Sequence, residues 1–163
     1  MKKDNVVLAL YPKTRGIGYA CLESPKDLID CGIATVRPIC NGKILKRAQN
    51  FIEYYQPTLV LLQNYENRYL KHGKRVANLI DEIMAYARGK GVPIKQYSRE
   101  QIRDVFEQFG VKTKFEIAST IVKWLPELGY RAPKVRKLWM SEDYNMGIFD
   151  ALSLALTHYY LTD

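Results

Sequence analysis

The sequence predicts an α/β domain on a mixed sheet: a three-strand antiparallel meander, then parallel strands, flanked by helices on both faces. Three observations carry this expectation. Three apolar runs follow one another within the first 36 residues, too closely spaced for a helix between them. The hydrophobic period then changes to that of a helix over 43–55. Beyond it, strand-like runs alternate with helical ones, the pattern that covers both faces of a sheet.

Residues 5–11 (NVVLALY) form the first strand, closed by a Pro-Lys-Thr-Arg-Gly turn. The runs 17–23 and 28–36 make the next two, separated by Ser24-Pro25-Lys26-Asp27, in which Ser, Pro and Asp favour a turn. In 43–55, Ile44, Leu45, Ala48, Phe51, Ile52 and Tyr55 share one helical face, and Pro57 ends the helix. Residues 58–63 (TLVLLQ) are almost uniformly apolar, as expected of a central strand, paired in parallel with the first. A helix over 68–88 presents Val76, Leu79, Ile80, Ile83 and Ala87, and a strand follows at 92–97. Ser98 and Gln101 have capping-box spacing, so a helix of about 99–109 begins there and Gly110 ends it. Thr113 caps a further helix closed by Pro126 and Gly129, 130–141 is a basic loop, and the last helix spans 145–161.

Composition narrows the classes of function. The 163 residues are expected to form a single domain, 1–163. No apolar run approaches the ~18 residues of a transmembrane helix, and the short apolar start lacks a signal-peptide pattern. Cys21, Cys31 and Cys40 have no metal-ligand spacing and are odd in number, which suggests reduced thiols and a cytoplasmic location. The 25 Lys and Arg against 17 Asp and Glu leave a net charge of +8, which favours a polyanionic partner, nucleic acid first.

Four motifs fall in register with this element order. VVLALYPKTRGIGY joins a hydrophobic strand to Pro12, Thr14, Arg15, Gly18 and Tyr19; LVLLQNYEN ends the fourth strand; GVKTKFEIASTIVKWLPEL carries Lys114; and GIFDALSLALTH carries Asp150 and His158. Together they resemble the RuvC Holliday-junction resolvases, of the RNase H-like superfamily, over nearly the whole chain. The resemblance implies an RNase H-like fold and a nuclease site in which carboxylates from strand one, strand four and the last helix hold two Mg²⁺ or Mn²⁺ ions about 4 Å apart. At these positions the chain departs from the family. Tyr11 replaces the catalytic Asp, Lys13 a Gly, Gln63 the catalytic Glu, and Gly147 the first Asp of the last pair. A phenol with a pKa near 10 and a neutral amide are poor ligands for Mg²⁺, which gives up its water reluctantly. Asp150 alone survives, so no metal is expected to bind. Were the chain active, Asp150, Glu66 and Asp143 would have to rebuild the catalytic and metal site, with Glu142 nearby.

Blander readings compete for the same residues. Asp150 could be a helix-dipole carboxylate, His158 a packing histidine, His72 a solvated residue among cations, and Tyr11 a core side chain filling a vacated site.

Two basic runs flank the expected cleft. The first holds Arg68, Lys71, Lys74 and Arg75 with Tyr69 and His72, and the second holds Arg131, Lys134, Arg136 and Lys137 before Trp139. Lys and Arg bind phosphates and exposed aromatics stack on unpaired bases. With Arg15, Tyr65, Lys112 and Lys114, they form the expected nucleic-acid surface. The leading expectation is therefore a protein that recognises branched DNA or a duplex by shape and carries a degenerate nuclease site. The alternatives are a divergent metal-dependent junction endonuclease, or a protein-interaction module, with a homodimer through the 76–87 helix face and charge serving solubility. No membrane partner is expected.

Overall fold

Side chains alternate along a strand, so a strand covered on both sides must be apolar at odd and even positions alike. Val7, Leu8, Ala9 and Leu10 meet that condition, as do Val60, Leu61 and Leu62, and all are buried. In the computed structural model, which describes residues 5–65, 73–133 and 144–162, these segments form the centre of one five-stranded sheet. The strands are β1 (Val7–Lys13), β2 (Gly16–Ser24), β3 (Asp27–Thr35), β4 (Leu59–Asn64) and β5 (Ile94–Ser98). Their order is β3-β2-β1-β4-β5. The first three are antiparallel, and β1–β4 and β4–β5 are parallel. The predicted meander and the parallel placement of the fourth strand beside the first are both present.

The helices divide between the faces. Even-numbered Leu8, Leu10, Val60 and Leu62 pack with α1 (Asn41–Tyr55) and α2 (Lys74–Gly89). Odd-numbered Val7, Ala9, Tyr11 and Leu61 pack with α3 (Arg99–Glu107), α4 (Lys114–Trp124) and α5 (Met146–Thr162). Thirteen consecutive residues of α5, Met146 to His158, are buried, as expected of a helix that is apolar all round.

Residues 68–72 of the expected second helix lie outside the described residues, and α2 runs from Lys74. Its apolar face, including Val76, Leu79, Ile80, Ile83 and Ala87, is buried in the protomer's own core, so the 76–87 face is not available to a partner copy. The first strand does not stop at Tyr11 but continues through Pro12 and Lys13. Its ladder with β4 ends at Leu10↔Leu62 while that with β2 continues to Lys13↔Gly16. Pro12 therefore stands on a locally open edge, where a missing N–H is tolerated. Side chains satisfy that edge: Gln63 Nε2 donates to Pro12 O (3.1 Å), and Arg75 Nη2 donates to the carbonyls of Lys13 and Thr14 (3.0 Å each).

Both predicted helix caps are formed. Ser98 Oγ accepts from Gln101 N (3.1 Å) while Gln101 Oε1 accepts from Ser98 N (2.8 Å), and Thr113 and Glu116 make the equivalent box at α4. Ser98→Ala should cost about 1 kcal/mol, measurable as a lower urea midpoint at unchanged m-value. No helix among the described residues is long and apolar enough to cross a membrane. None of Cys21, Cys31 and Cys40 forms a disulfide.

Candidate functional site

Parallel strands that end together leave a crevice beyond their carboxyl ends, where open α/β sheets place ligands. Here β1, β4 and β5 end around a cleft of about 340 Å³ lined by Tyr11, Pro12, Lys13, Thr14, Gln63, Asn64, Tyr65, Val76, Arg99, Arg103 and Lys114. Tyr11 and Lys13 continue the odd-numbered face of β1, so both turn toward α5. The extra length of β1 thereby brings a lysine to the last helix.

Asp150 marks that meeting point. It is the fifth residue of α5 and only 2% exposed. Lys13 Nζ lies 2.7 Å from its Oδ2, and Lys114 Nζ lies 3.6 Å from its Oδ1. A carboxylate at that depth is stable only when paired, and two ammonium groups pair it. The helix-dipole reading of Asp150 gives way to these side-chain cations, since no acid occupies the first turn of α5. Lys13→Ala should destabilise the protein by about 3 kcal/mol by removing the nearer partner of a buried charge. Pairing the same change with Asp150→Asn should return most of the loss in thermal unfolding.

Tyr11 is 8% exposed and belongs to the α5-side core. Gln63 is 5% exposed, and among the described residues its Oε1 has no hydrogen-bond partner. Gly147, the second residue of α5, has Ile33 side-chain atoms 3.4 and 3.5 Å from where a Cβ would stand. Gly18 is tighter: a Cβ there would lie 2.1 Å from Gly147 O. The absence of a side chain at position 18 lets α5 rest directly on β2 and sets the depth of Asp150.

The residues expected to rebuild a metal site are only partly in view. Asp150 is in the cleft region, whereas Glu66, Glu142 and Asp143 lie outside the described residues. Among the described residues no group of three His, Cys, Asp or Glu side chains is placed to hold a metal ion. The donors at these positions among the described residues are a phenol, an amide and one carboxylate bound by two cations, a set that does not by itself fit Mg²⁺.

The expected nucleic-acid residues that are described have different surroundings. Arg15 is exposed and lines, with Lys13, Thr14, Tyr144 and Gly147, an adjoining cleft of about 340 Å³. Tyr65 is half-buried in the first cleft, and Lys114 reaches Asp150. Lys74 is exposed at the start of α2. Lys112 is exposed and 3.7 Å from Glu107, a surface pair of little energetic weight. Arg131 lines a third cavity with Tyr19, Cys31, Tyr130 and Tyr144. Arg75 has a backbone task, anchoring the β1–β2 turn and Asn41 Oδ1 (3.0 Å). Arg68, Lys71, Lys134, Arg136 and Lys137 lie outside the described residues.

Three cations of the site escaped the sequence reading as ligands: Lys13, Arg99 and Arg103. The signal for the arginines was present. They are four apart on a helix whose cap sits at the end of β5, so they share one face directed at the strand ends.

His158 is the packing histidine its position suggested: Tyr97 Oη and His158 Nδ1 are 2.8 Å apart. Burial, and then the Lys95 charge, lower its pKa from the ordinary 6.5. An imidazole harder to protonate when folded makes the unfolded chain bind more protons, so stability rises with pH in that range. Its contribution is complete above about pH 6.5 and declines as pH falls through that value. Urea midpoints should therefore drop on acidification, and His158→Gln should flatten that slope.

No protein-family model matches the sequence, and no curated protein matches it either. Solved structures do. A Thermus thermophilus RuvC in complex with a Holliday junction substrate superposes with a TM-score of 0.69 at 20% identity, covering 96% of this chain and 94% of that one. A second structure of Thermus thermophilus RuvC gives 0.69 at 19% identity, covering 96% and 95%. The yeast mitochondrial Holliday junction resolvase Ydc2 gives 0.67 at 10% identity, covering 95% of this chain and 78% of that one. The sheet order, the helices and their sequence are those of the RuvC-like RNase H fold.

Proposed function

We propose that this chain binds branched or duplex nucleic acid by shape, through the basic surface where β1 and β4 end, and that its fold's metal-dependent cleavage has been lost. The observation that carries this reading is Asp150, buried and bound by Lys13 and Lys114. A two-metal site concentrates negative charge to attract cations, whereas this one presents cations to the solvent and suits phosphate. Likeness to a RuvC solved on a Holliday junction supports branched DNA as the ligand class. Lysines and arginines along the described cleft suit phosphate oxygens, which favours recognition of backbone geometry.

The test is binding to a synthetic four-way junction and to the matching linear duplex across a salt series, followed by incubation with millimolar Mg²⁺ or Mn²⁺. Expected are a junction affinity that falls steeply with salt and strands that stay intact. Metal-dependent nicking abolished by Asp150→Asn would establish the endonuclease instead. Salt-insensitive or absent binding would leave the interaction module.

A further inference from the structure

The first cleft combines two facts that the loss of a metal site does not by itself require. Lys13 and Lys114 are held by a shared buried counter-ion, with 26% and 33% of their side chains exposed. Arg99 and Arg103 of α3 line the same cleft. Among the described residues neither arginine has an ion-pair partner. Four cations therefore surround the cleft against one carboxylate among the described residues.

We propose that this cleft is a metal-independent phosphodiester subsite. Lys13, Lys114, Arg99 and Arg103 take the backbone phosphates of one nucleic-acid strand, and Asp150 is the internal counter-ion that fixes the two ammonium groups. The proposal rests on the nucleic-acid reading above and adds where the strand lies, and that no divalent ion bridges it. The chemistry is that of charge-assisted hydrogen bonds from ammonium and guanidinium groups to phosphate oxygens, strongest where the cations are fixed in advance. An ammonium meets phosphate as a point charge and a guanidinium can meet it with two parallel bonds. Lys13 also lines the adjoining cleft with Arg15 and Tyr144, so a strand crossing Lys13 finds a second cation and an exposed aromatic beyond it.

The geometry assigns Asp150 an opposite sign of effect from that of a metal ligand. Removing a ligand weakens metal-bridged binding. Replacing Asp150 by a neutral amide removes one negative charge beside two ammonium groups, makes the cleft more positive by one, and should tighten binding to phosphate.

The experiment is fluorescence anisotropy of the full chain with a labelled four-way junction, in EDTA and in millimolar Mg²⁺, over a salt series. The unaltered protein should bind equally well in EDTA or better, since Mg²⁺ competes for phosphate like any salt. Arg99→Gln and Arg103→Gln, both surface changes, should each weaken binding about fivefold to tenfold. Each should also reduce the slope of log affinity against log salt by about one. Asp150→Asn, checked for folding by circular dichroism, should bind several-fold tighter. Binding that needs Mg²⁺ and is lost in EDTA would overturn the subsite. So would arginine variants with unchanged affinity and slope, or an Asp150→Asn that folds and binds more weakly. Absence of any salt-sensitive binding by the unaltered protein would instead overturn the nucleic-acid reading itself.

Discussion

Gly18→Ala is expected to destabilise this protein by about 3 kcal/mol, the upper part of the range for a methyl forced into a packed interior. The new methyl would meet the carbonyl of Gly147, in the first turn of α5. Backbone cannot rotate away as a side chain can, so α5 must lift from β2. For a chain of this size the loss corresponds to a fall in Tm of about 6–12 °C. Because α5 carries Asp150, displacement should also loosen the Lys13 contact. Thermal unfolding with Gly18→Ala and, as a control, Gly129→Ala separates the effect from a general cost of losing glycine. A Cβ at position 129 would meet nothing within 4 Å. A Tm change no larger at 18 than at 129 would contradict the close approach of α5 to β2.

Restoring the resolvase pattern has the second large expected effect, and the structure changes which residues it requires. Tyr11→Asp, Gln63→Glu and Gly147→Asp return three acids, but they leave the Lys13 ammonium on Asp150. Lys13→Gly must accompany them. The fourfold variant carries four carboxylates at the family's positions, with Lys114 still beside Asp150, so without metal it should be severely destabilised by like-charge repulsion and by loss of the Tyr11 ring from the core. Mg²⁺ or Mn²⁺ should then restore stability: a ligand present at a hundred times its dissociation constant adds about 2.7 kcal/mol. Calorimetry should show a Tm that climbs with metal concentration in the fourfold variant and stays flat in the unaltered chain. A variant retaining Lys13 should respond much less. Equal metal responses with and without Lys13 would show that the lysine does not exclude cations.

Much of this was legible in the sequence because it depends on local periodicity. The apolar runs of β1 and β4, the 3.6-residue pattern of α1 and the two caps at Ser98 and Thr113 each have a cause within a few residues. The resemblance to RuvC named Tyr11, Gln63, Gly147 and Asp150 as corresponding positions, and the fold directs β1, β4 and α5 toward one region. What could not be read was which groups would neutralise Asp150. The Lys13 contact spans 137 residues of sequence, and it depends on β1 continuing through Pro12, which looks like a terminator until the one-sided ladder is known. The task of Arg75 was hidden for the same reason. As one of a basic run it reads as a phosphate ligand, while its partners are backbone carbonyls 61 and 62 residues away.

Those carbonyls have a consequence for how the protein behaves in a crowded cell. Past Leu10, β1 has lost its neighbour on the β4 side, and unpaired backbone groups on an apolar strand invite a foreign strand to add itself. Gln63 and Arg75 occupy the oxygens of Pro12, Lys13 and Thr14 with side-chain donors, and Pro12 brings no N–H to the seam. A strand arriving there would have to displace a guanidinium making three hydrogen bonds and would still find a gap in its ladder. The open end of the strand is thereby guarded against strand addition.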